Sequence, residues 1–321
     1  VRLRASTQCF TTNPEEADLF WIPLLLKPKD TDDWHAHCQS LEGKAAQLMK
    51  ELPYLKKANA HRHFIVVSKG AHNARPCVGI WGHPTGLLFN VARIATQVRF
   101  APEDLQEHPE ILQQHKGWRY LRYQVIPEVD VPRLYAMPYP ASVHWDGKSP
   151  KPWAARRQRD VLVSFIGKTS HGDLEVRKKI ERLCRRAKPP GLTCDHWKEE
   201  RAHVESPSLA LKARSTFCLE PVGDNTGRKS VMDDYSVGCI PVFFGSAQMF
   251  QYPEMWEGWH QYAFISLDRV GFIHGQYDVM EVLRHIPEVV IKEIQRNIAL
   301  YGGRFQYNLR DAESPEDDDA L

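Results

Sequence analysis

The chain has 321 residues, of which 42% are hydrophobic and 26% charged, an ordinary globular composition that excludes a disordered chain or a long coiled coil. Its formal charge of +2 lacks the basic excess of a nucleic-acid binder. No apolar run approaches the ~20 residues that span a bilayer. The length suits two domains, each able to bury its own core.

In chain order, Asn13–Ala17 reads as a capped helical turn leading into an apolar run, Leu19–Leu26, expected as one buried strand. Leu41–Leu55 is apolar at helical spacing, His63–Val67 is a compact strand, and Leu87–Val98 again shows helical spacing. Gln124–Pro127 and Leu134–Pro138 are short strand candidates. Asp146–Pro152 is a linker by chemistry, because glycine and serine are flexible and the prolines end regular structure. A second series follows: strand Val161–Ile166, basic helix Leu174–Arg186, a helix containing Leu209–Ala213, strand Thr216–Leu219, helix Lys229–Ser236, strand Ile240–Phe244, and closing helices Val279–Ile286 and Glu288–Tyr301. Strands alternating with amphipathic helices indicate an α/β fold with largely parallel sheets. The domains predicted are residues 1–150 and 151–310, with the last helix returning towards the first domain and residues 311–321 as an acidic, solvated tail. Two such domains would enclose a cleft, a favoured place for a ligand.

The seven cysteines form no CxxC and no zinc-finger spacing. Cys184 and Cys194 lie across a Pro-Pro-Gly turn, where a disulfide is plausible in a secretory compartment; Cys218 and Cys239 sit in apolar runs and read as buried small hydrophobes. The chain begins at Val rather than Met, so a targeting signal or anchor is expected upstream.

The chemistry concentrates in residues 215–244, which read as strand, polar loop with Gly223 and Gly227, helix, strand. Glycines let the backbone approach a ligand, and a helix N-terminus offers unpaired N–H groups and partial positive charge. Arg228, Lys229 and Ser230 add cations and a hydroxyl, making a pyrophosphate cradle in which the arginine fork can bind two oxygens. Cations there oppose the helix dipole, so without an anionic ligand they would cost a little stability. Asp233 and Asp234 come one turn on, where a carboxylate could accept hydrogen bonds from ribose, and Glu220, ending the first strand, could meet the sugar. Neither GxxxxGK[ST] nor GxGxxG is present. Asp233 and Asp234 are neighbours on a helix and point apart, so no metal-binding carboxylate pair is expected.

The block Phe217-Cys218-Leu219, Pro221, Gly223-Asp224, Arg228, Ser230, Asp233 and Gly238–Phe244 resembles the signature of exostosin-like glycosyltransferases, family 47, plant and algal branch, with Lys229 in place of a second arginine. Asn13–Phe20, the His63–Val67 strand, Met137–Pro140, Arg159 with Ser164–Lys168, and Gln251-Tyr252 with Trp256 resemble further family segments in the same order. The resemblance implies a GT-B fold, two Rossmann-like domains facing each other across a cleft, with the donor held by the C-terminal one. It also implies an inverting transfer from a UDP-sugar to a polysaccharide or glycoprotein hydroxyl, without an essential metal or other cofactor. Gly167, Lys168, Glu220, Gly223, Asp224, Arg228, Lys229, Ser230 and Asp233 would form the donor site. It further implies residence in the Golgi lumen on a type II anchor, and association with itself or another glycosyltransferase.

The first domain departs from the family pattern. Family members carry His-Asp shortly after the HFxVV strand; in this chain Lys69-Gly70 is followed by Ala71-His72-Asn73, and Arg62 replaces the acidic residue before the strand. His72, His61 and His63 are the candidates for the general base. The alternative reading is a non-catalytic subunit of the same fold that supports a partner transferase. Trp256 and Trp259, near the donor block, are the candidates for stacking on sugar.

Overall fold

A computed structural model describes residues 10–23, 43, 47, 50–52, 54–55, 57–67, 89–95, 102–107, 109–114, 133–146, 150–155, 157–170, 172–186, 192–195, 207–223, 226–248 and 263–307. The chain divides into two units, Val1–Glu107 with Arg122–Met137, and His108–Leu121 with Pro138–Leu321.

The first unit holds a parallel sheet of β1 (Phe20–Trp21), β2 (His63–Val67), β3 (Ala92–Ala95) and β4 (Leu134–Ala136), in that spatial order, with helix α1 (Pro102–Glu107) between β3 and β4 in sequence. Two expectations change in this sheet. The first strand is short, and Leu19 is exposed while Ile22 is buried. The segment around Leu87–Val98 contains strand β3, not a helix, pairing Phe64 with Ala92 and Val67 with Ala95. Its buried face carries Val91 and Arg93, and a charged residue on the core side disguises the period of two. Gly43, Gln47, Lys50 and Glu51 are helical, as the Leu41–Leu55 spacing predicts. Gln124–Pro127 lies outside the described residues.

The second unit begins with α2 (Glu110–Gln114) and holds a five-stranded sheet of β5 (Val161–Ile166), β6 (Leu192–Asp195), β7 (Ser215–Leu219), β8 (Ile240–Phe244) and β9 (Ile265–Leu267). All neighbouring strands are parallel and the spatial order is β6-β5-β7-β8-β9. Helices α3 (Leu174–Arg186), α4 (Pro207–Arg214) and α5 (Lys229–Val237) connect them, and α6 (Arg269–His274), α7 (Val279–Arg284) and α8 (Glu288–Tyr301) follow β9. Every residue of β8 is buried, as its unbroken apolar sequence requires of a parallel strand covered on both faces. Phe243 meets Phe264 at 5.1 Å between ring centroids and Phe244 meets Phe272 at 4.7 Å. Burying one such side chain contributes about 1.5–3 kcal/mol.

The segment after Met137 belongs to this unit, so the division falls ahead of the Pro-rich linker. Asp233 accepts from the Ser142 amide at 2.6 Å, the His144 ring bonds the Tyr307 carbonyl at 2.8 Å, and Trp145 packs edge-on against Trp153 at 5.9 Å. Helix α8 buries Ile294 and Ile298 and packs within the second unit on the turn that carries Trp153; a side chain at Gly302, just beyond the helix, would stand 3.2 Å from that indole. Residues 311–321 lie outside the described residues.

Cys218 and Cys239 are buried, as their apolar surroundings predict, but they are bonded to each other, which corrects their reading as small hydrophobes. Cys218 lies in β7 and Cys239 immediately precedes the adjacent strand β8, which sets their Cα atoms 6.1 Å apart, within disulfide reach. Cys184 is also in a disulfide, with a partner outside the described side chains.

Candidate functional site

The strand order of the second unit reverses at β5. The chain leaves β5 for β6 on one side and returns to β7 on the other, so the carboxyl ends of β5 and β7 flank a topological switch point, where open α/β sheets bind ligands. The residues there are Gly167 and Lys168 after β5, and Glu220, Pro221, Val222 and Gly223 after β7.

Two devices fix these loops. Arg177, buried on α3, donates to the carbonyls of Lys168 (2.6 Å), Pro221 (3.0 Å) and Val222 (3.1 Å), tying the end of β5 to the end of β7. The Asp173 amide donates to Val222 O at 3.0 Å, while its carboxylate takes a two-pronged bond from Arg269 at 2.5 and 2.9 Å. Gly172, with φ of 75°, lets the loops touch: a Cβ there would lie 2.5 Å from Val222 O and 2.7 Å from Gly223 Cα.

Arg228 stands at the N-cap of α5 in extended conformation. Its Nη1 donates to Glu220 Oε2 and to Pro221 O, the latter at 3.0 Å. Its Nε and Nη2 have no partner among the described residues. Nη2 lies 3.7 Å from where a Cβ of Gly167 would stand, so the missing side chain leaves that approach open. Nε and Nη2 form one edge of the guanidinium, and such an edge can donate two parallel bonds to a phosphate.

Behind Arg228 lies a buried charge cluster. Lys212 of α4 donates to Glu220 Oε1 at 2.9 Å, to Ser230 Oγ at 2.9 Å, to Ser230 O at 3.0 Å and to Asp234 Oδ1. Ser230 Oγ donates to Glu220 Oε1 at 2.6 Å. Burial pushes the Glu220 carboxyl up, but the Arg228 and Lys212 charges, with the Ser230 bond, outweigh it and hold the group at about 2. Burial lowers Lys212, yet Asp234 and Glu220 raise it to about 12. Burial pushes Asp234 well up against the pull of Lys212, and its Oδ2 has no hydrogen-bond partner among the described residues.

The structure thus rearranges the expected cradle. Gly167, Lys168, Glu220, Gly223, Arg228 and Ser230 gather at the switch point or directly behind it, but both Glu220 oxygens are engaged by protein. Lys229 and Asp233 pair with each other four residues apart, at 2.8 Å, and both bond Ser142. The cations at the start of α5 are therefore not misplaced: Glu220 serves Arg228 and Asp233 serves Lys229. Asp234 turns to Lys212, away from Asp233, as neighbours on a helix do. Asp224 lies outside the described residues.

Sequence reasoning missed Lys212, Arg177, Asp173 and Arg269, and it set Asp234 beside Asp233 without its pairing to Lys212. The available signal was a cation on an apolar helical stripe: Arg177 lies between Val176 and Ile180, and Lys212 is three residues after Leu209.

In the first unit His63 is buried, stacks on Phe20 at 5.0 Å and shares its Nδ1 with Asn59 O at 3.0 Å; burial pushes its pKa below the usual histidine value. His61 is exposed at the end of a 3-10 turn. His72, Trp256 and Trp259 lie outside the described residues. The candidate metal cluster found among the described residues is Cys218, Asp234 and Cys239, whose sulfurs are bonded to each other.

A family model described as Exostosin GT47 domain matches residues 2–269. From Arabidopsis thaliana, the protein named Xyloglucan galactosyltransferase XLT2 is 25% identical over 91% of this chain and 54% of its own length. Probable xyloglucan galactosyltransferase GT15 is 30% identical over 51% of this chain and 36% of its own, and Probable xyloglucan galactosyltransferase GT17 is 23% identical over 95% and 65%. The chain therefore spans less than two thirds of the length of each of these relatives.

Proposed function

The chain belongs to the exostosin family of glycosyltransferases, family 47, and on that premise we propose that it transfers a sugar, with inversion, from a UDP-sugar to an acceptor hydroxyl. The observation that carries this reading is Arg228: anchored by Nη1, its open edge faces the β5–β7 switch point at the start of a helix. As the sugar–phosphate bond breaks, the leaving diphosphate gains charge, and a fixed guanidinium edge beside helix N–H groups stabilises that charge more than the ground state. The relatives' names point to galactose as the sugar and xyloglucan, a polysaccharide, as the acceptor; a glycoprotein acceptor is the alternative. Transfer without a bound metal fits the divergence of Asp233 and Asp234, since Arg228 supplies the positive charge at the leaving group. The Cys218–Cys239 disulfide supports residence in an oxidising compartment such as the Golgi lumen. No helix among the described residues is long and apolar enough to cross a membrane, so a type II anchor would lie elsewhere in the protein. Association with a second glycosyltransferase belongs to the same proposal.

The test is a screen of UDP-sugars for thermal stabilisation, followed by a product assay with the best binder on xyloglucan fragments. Stabilisation by a UDP-sugar and a new glycosidic product support the reading. Stabilisation without product favours a donor-binding subunit that supports a partner enzyme, and no stabilisation by UDP or any UDP-sugar contradicts the donor site.

A further inference from the structure

We propose that Lys212 is a positioning residue of the donor site: from α4 it fixes one oxygen of Glu220, so that the other oxygen holds Arg228 by a single nitrogen and leaves its second edge open beside Gly167. The inference rests on the donor-site reading and adds to it a residue that touches no ligand.

The geometry runs outward from the core. Lys212 has a side chain 4% exposed and four oxygens within 3.0 Å, contributed by the end of β7 and the first two turns of α5. An ammonium has three protons, and in this cluster they are shared among groups that are all fixed in place. Glu220 Oε1 accepts from Lys212 and from Ser230, so the plane of its carboxylate is set before Arg228 is considered. Only Oε2 is left for Arg228.

The charges lead to the same residue. Facing Glu220 are Lys212 from α4 and Arg228 and Asp234 from α5, with Arg177 of α3 beyond Pro221 and Asp233 adding its field at Lys212. Lys212 and Arg228 are the two cations set against Glu220 and Asp234. Without Lys212, two buried carboxylates would compete for one cation. Asp234 Oδ2 already has no partner among the described residues, so Arg228 would be drawn inward and away from Gly167. Protonating one carboxylate, or replacing Asp234 by asparagine, would release it.

The experiment is calorimetric titration of UDP-galactose, whose doubly esterified diphosphate does not titrate between about pH 5.5 and about pH 8. Three proteins are compared below their melting temperatures: the parent, Lys212→Met, and Lys212→Met with Asp234→Asn. The parent should bind with an affinity that changes less than about twofold across the range. Lys212→Met should bind about tenfold more weakly at about pH 8 and regain threefold or more at about pH 5.5. The double variant should regain threefold or more at the higher pH. A packing role alone would leave the loss insensitive to both pH and Asp234, and that result, or parental affinity in Lys212→Met, overturns the inference. Should Lys212→Met fail to fold, Lys212→Gln, which keeps two donors, carries the same comparison. A parent that binds neither UDP nor UDP-galactose overturns the donor-site reading and this inference with it; a binding parent with indifferent variants overturns this inference alone.

Discussion

Arg228 meets Glu220 through one guanidinium nitrogen while its opposite edge faces the space that a side chain at Gly167 would occupy. The two residues are eight positions apart, on either side of the polar loop between β7 and α5. A buried carboxylate thus anchors the arginine without consuming the whole of its hydrogen-bonding capacity.

Glu220 links the site to acid stability. Its folded pKa, about 2, lies below the unfolded carboxylate value near 4.5, so its contribution is present above about pH 4.5 and is lost as pH falls towards 2. Glu220→Gln should therefore be less stable than the parent near neutrality, by on the order of 2–3 kcal/mol. That difference should shrink as the pH is lowered from about 5 to about 2.5. Urea unfolding midpoints at a series of pH values measure it, and a difference that stays constant would show that the pair contributes nothing through ionisation.

Gly172 is expected to tolerate no side chain. Its φ of 75° and the 2.5 Å approach of Val222 O to a Cβ mean that Gly172→Ala must displace the backbone after β7. A loss of about 2 kcal/mol or more is expected. Weaker UDP binding should accompany it, because Val222 and Gly223 border the site. Stability equal to the parent's would show that the two loops part freely.

The Cys218–Cys239 bond closes a loop with a sequence separation of 21 and should contribute about 3 kcal/mol. The paired change Cys218→Ala with Cys239→Ala should lower the melting temperature by several degrees. The variant pair, unlike the parent, should show no further loss from this bond on adding a reductant. Mass spectrometry of the unreduced protein after digestion would detect the linked peptides directly; finding both cysteines as free thiols contradicts the pairing.

Sugar transfer should survive chelation. Asp233 is held by Lys229 and Ser142 and Asp234 by Lys212, so the two carboxylates do not converge on one ion. Product formation in excess EDTA, compared with the same assay in manganese, is the measurement. Complete loss in EDTA with recovery on manganese would show that a metal, and not Arg228, supplies the positive charge at the leaving group.

Much of the second unit was legible in the sequence, and the reasons are local. Val161–Ile166, Leu174–Arg186, Ile240–Phe244 and Glu288–Tyr301 end where the expected boundaries lie, because each is a clean apolar run or stripe bounded by glycine, proline or charge. β3 was not legible, because Arg93 occupies a core-facing position and leaves the apolar residues at spacings that also suit a helix. Arg228 was singled out by its place at a helix start and Glu220 by its place at the end of a strand, but their pairing was not legible, because Glu220 lies across a loop and is buried against Lys212, a cation hidden in the apolar stripe of α4. The disulfide was missed for a similar reason: only the parallel pairing of β7 with β8 brings Cys218 and Cys239 together.

The most direct test is UDP titration calorimetry on Arg228→Ala beside the parent, with thermal melting of both without ligand. A charge-assisted bond to phosphate contributes about 1.5–3 kcal/mol, so the variant should bind UDP at least about tenfold more weakly. It should also melt lower, by about 1–2 kcal/mol of stability, because Glu220 loses one of its two cations while Lys212 remains. The variant should stay folded at the titration temperature. UDP affinity equal to the parent's would contradict the account, leaving Arg228 as a structural partner of Glu220 and placing the diphosphate elsewhere.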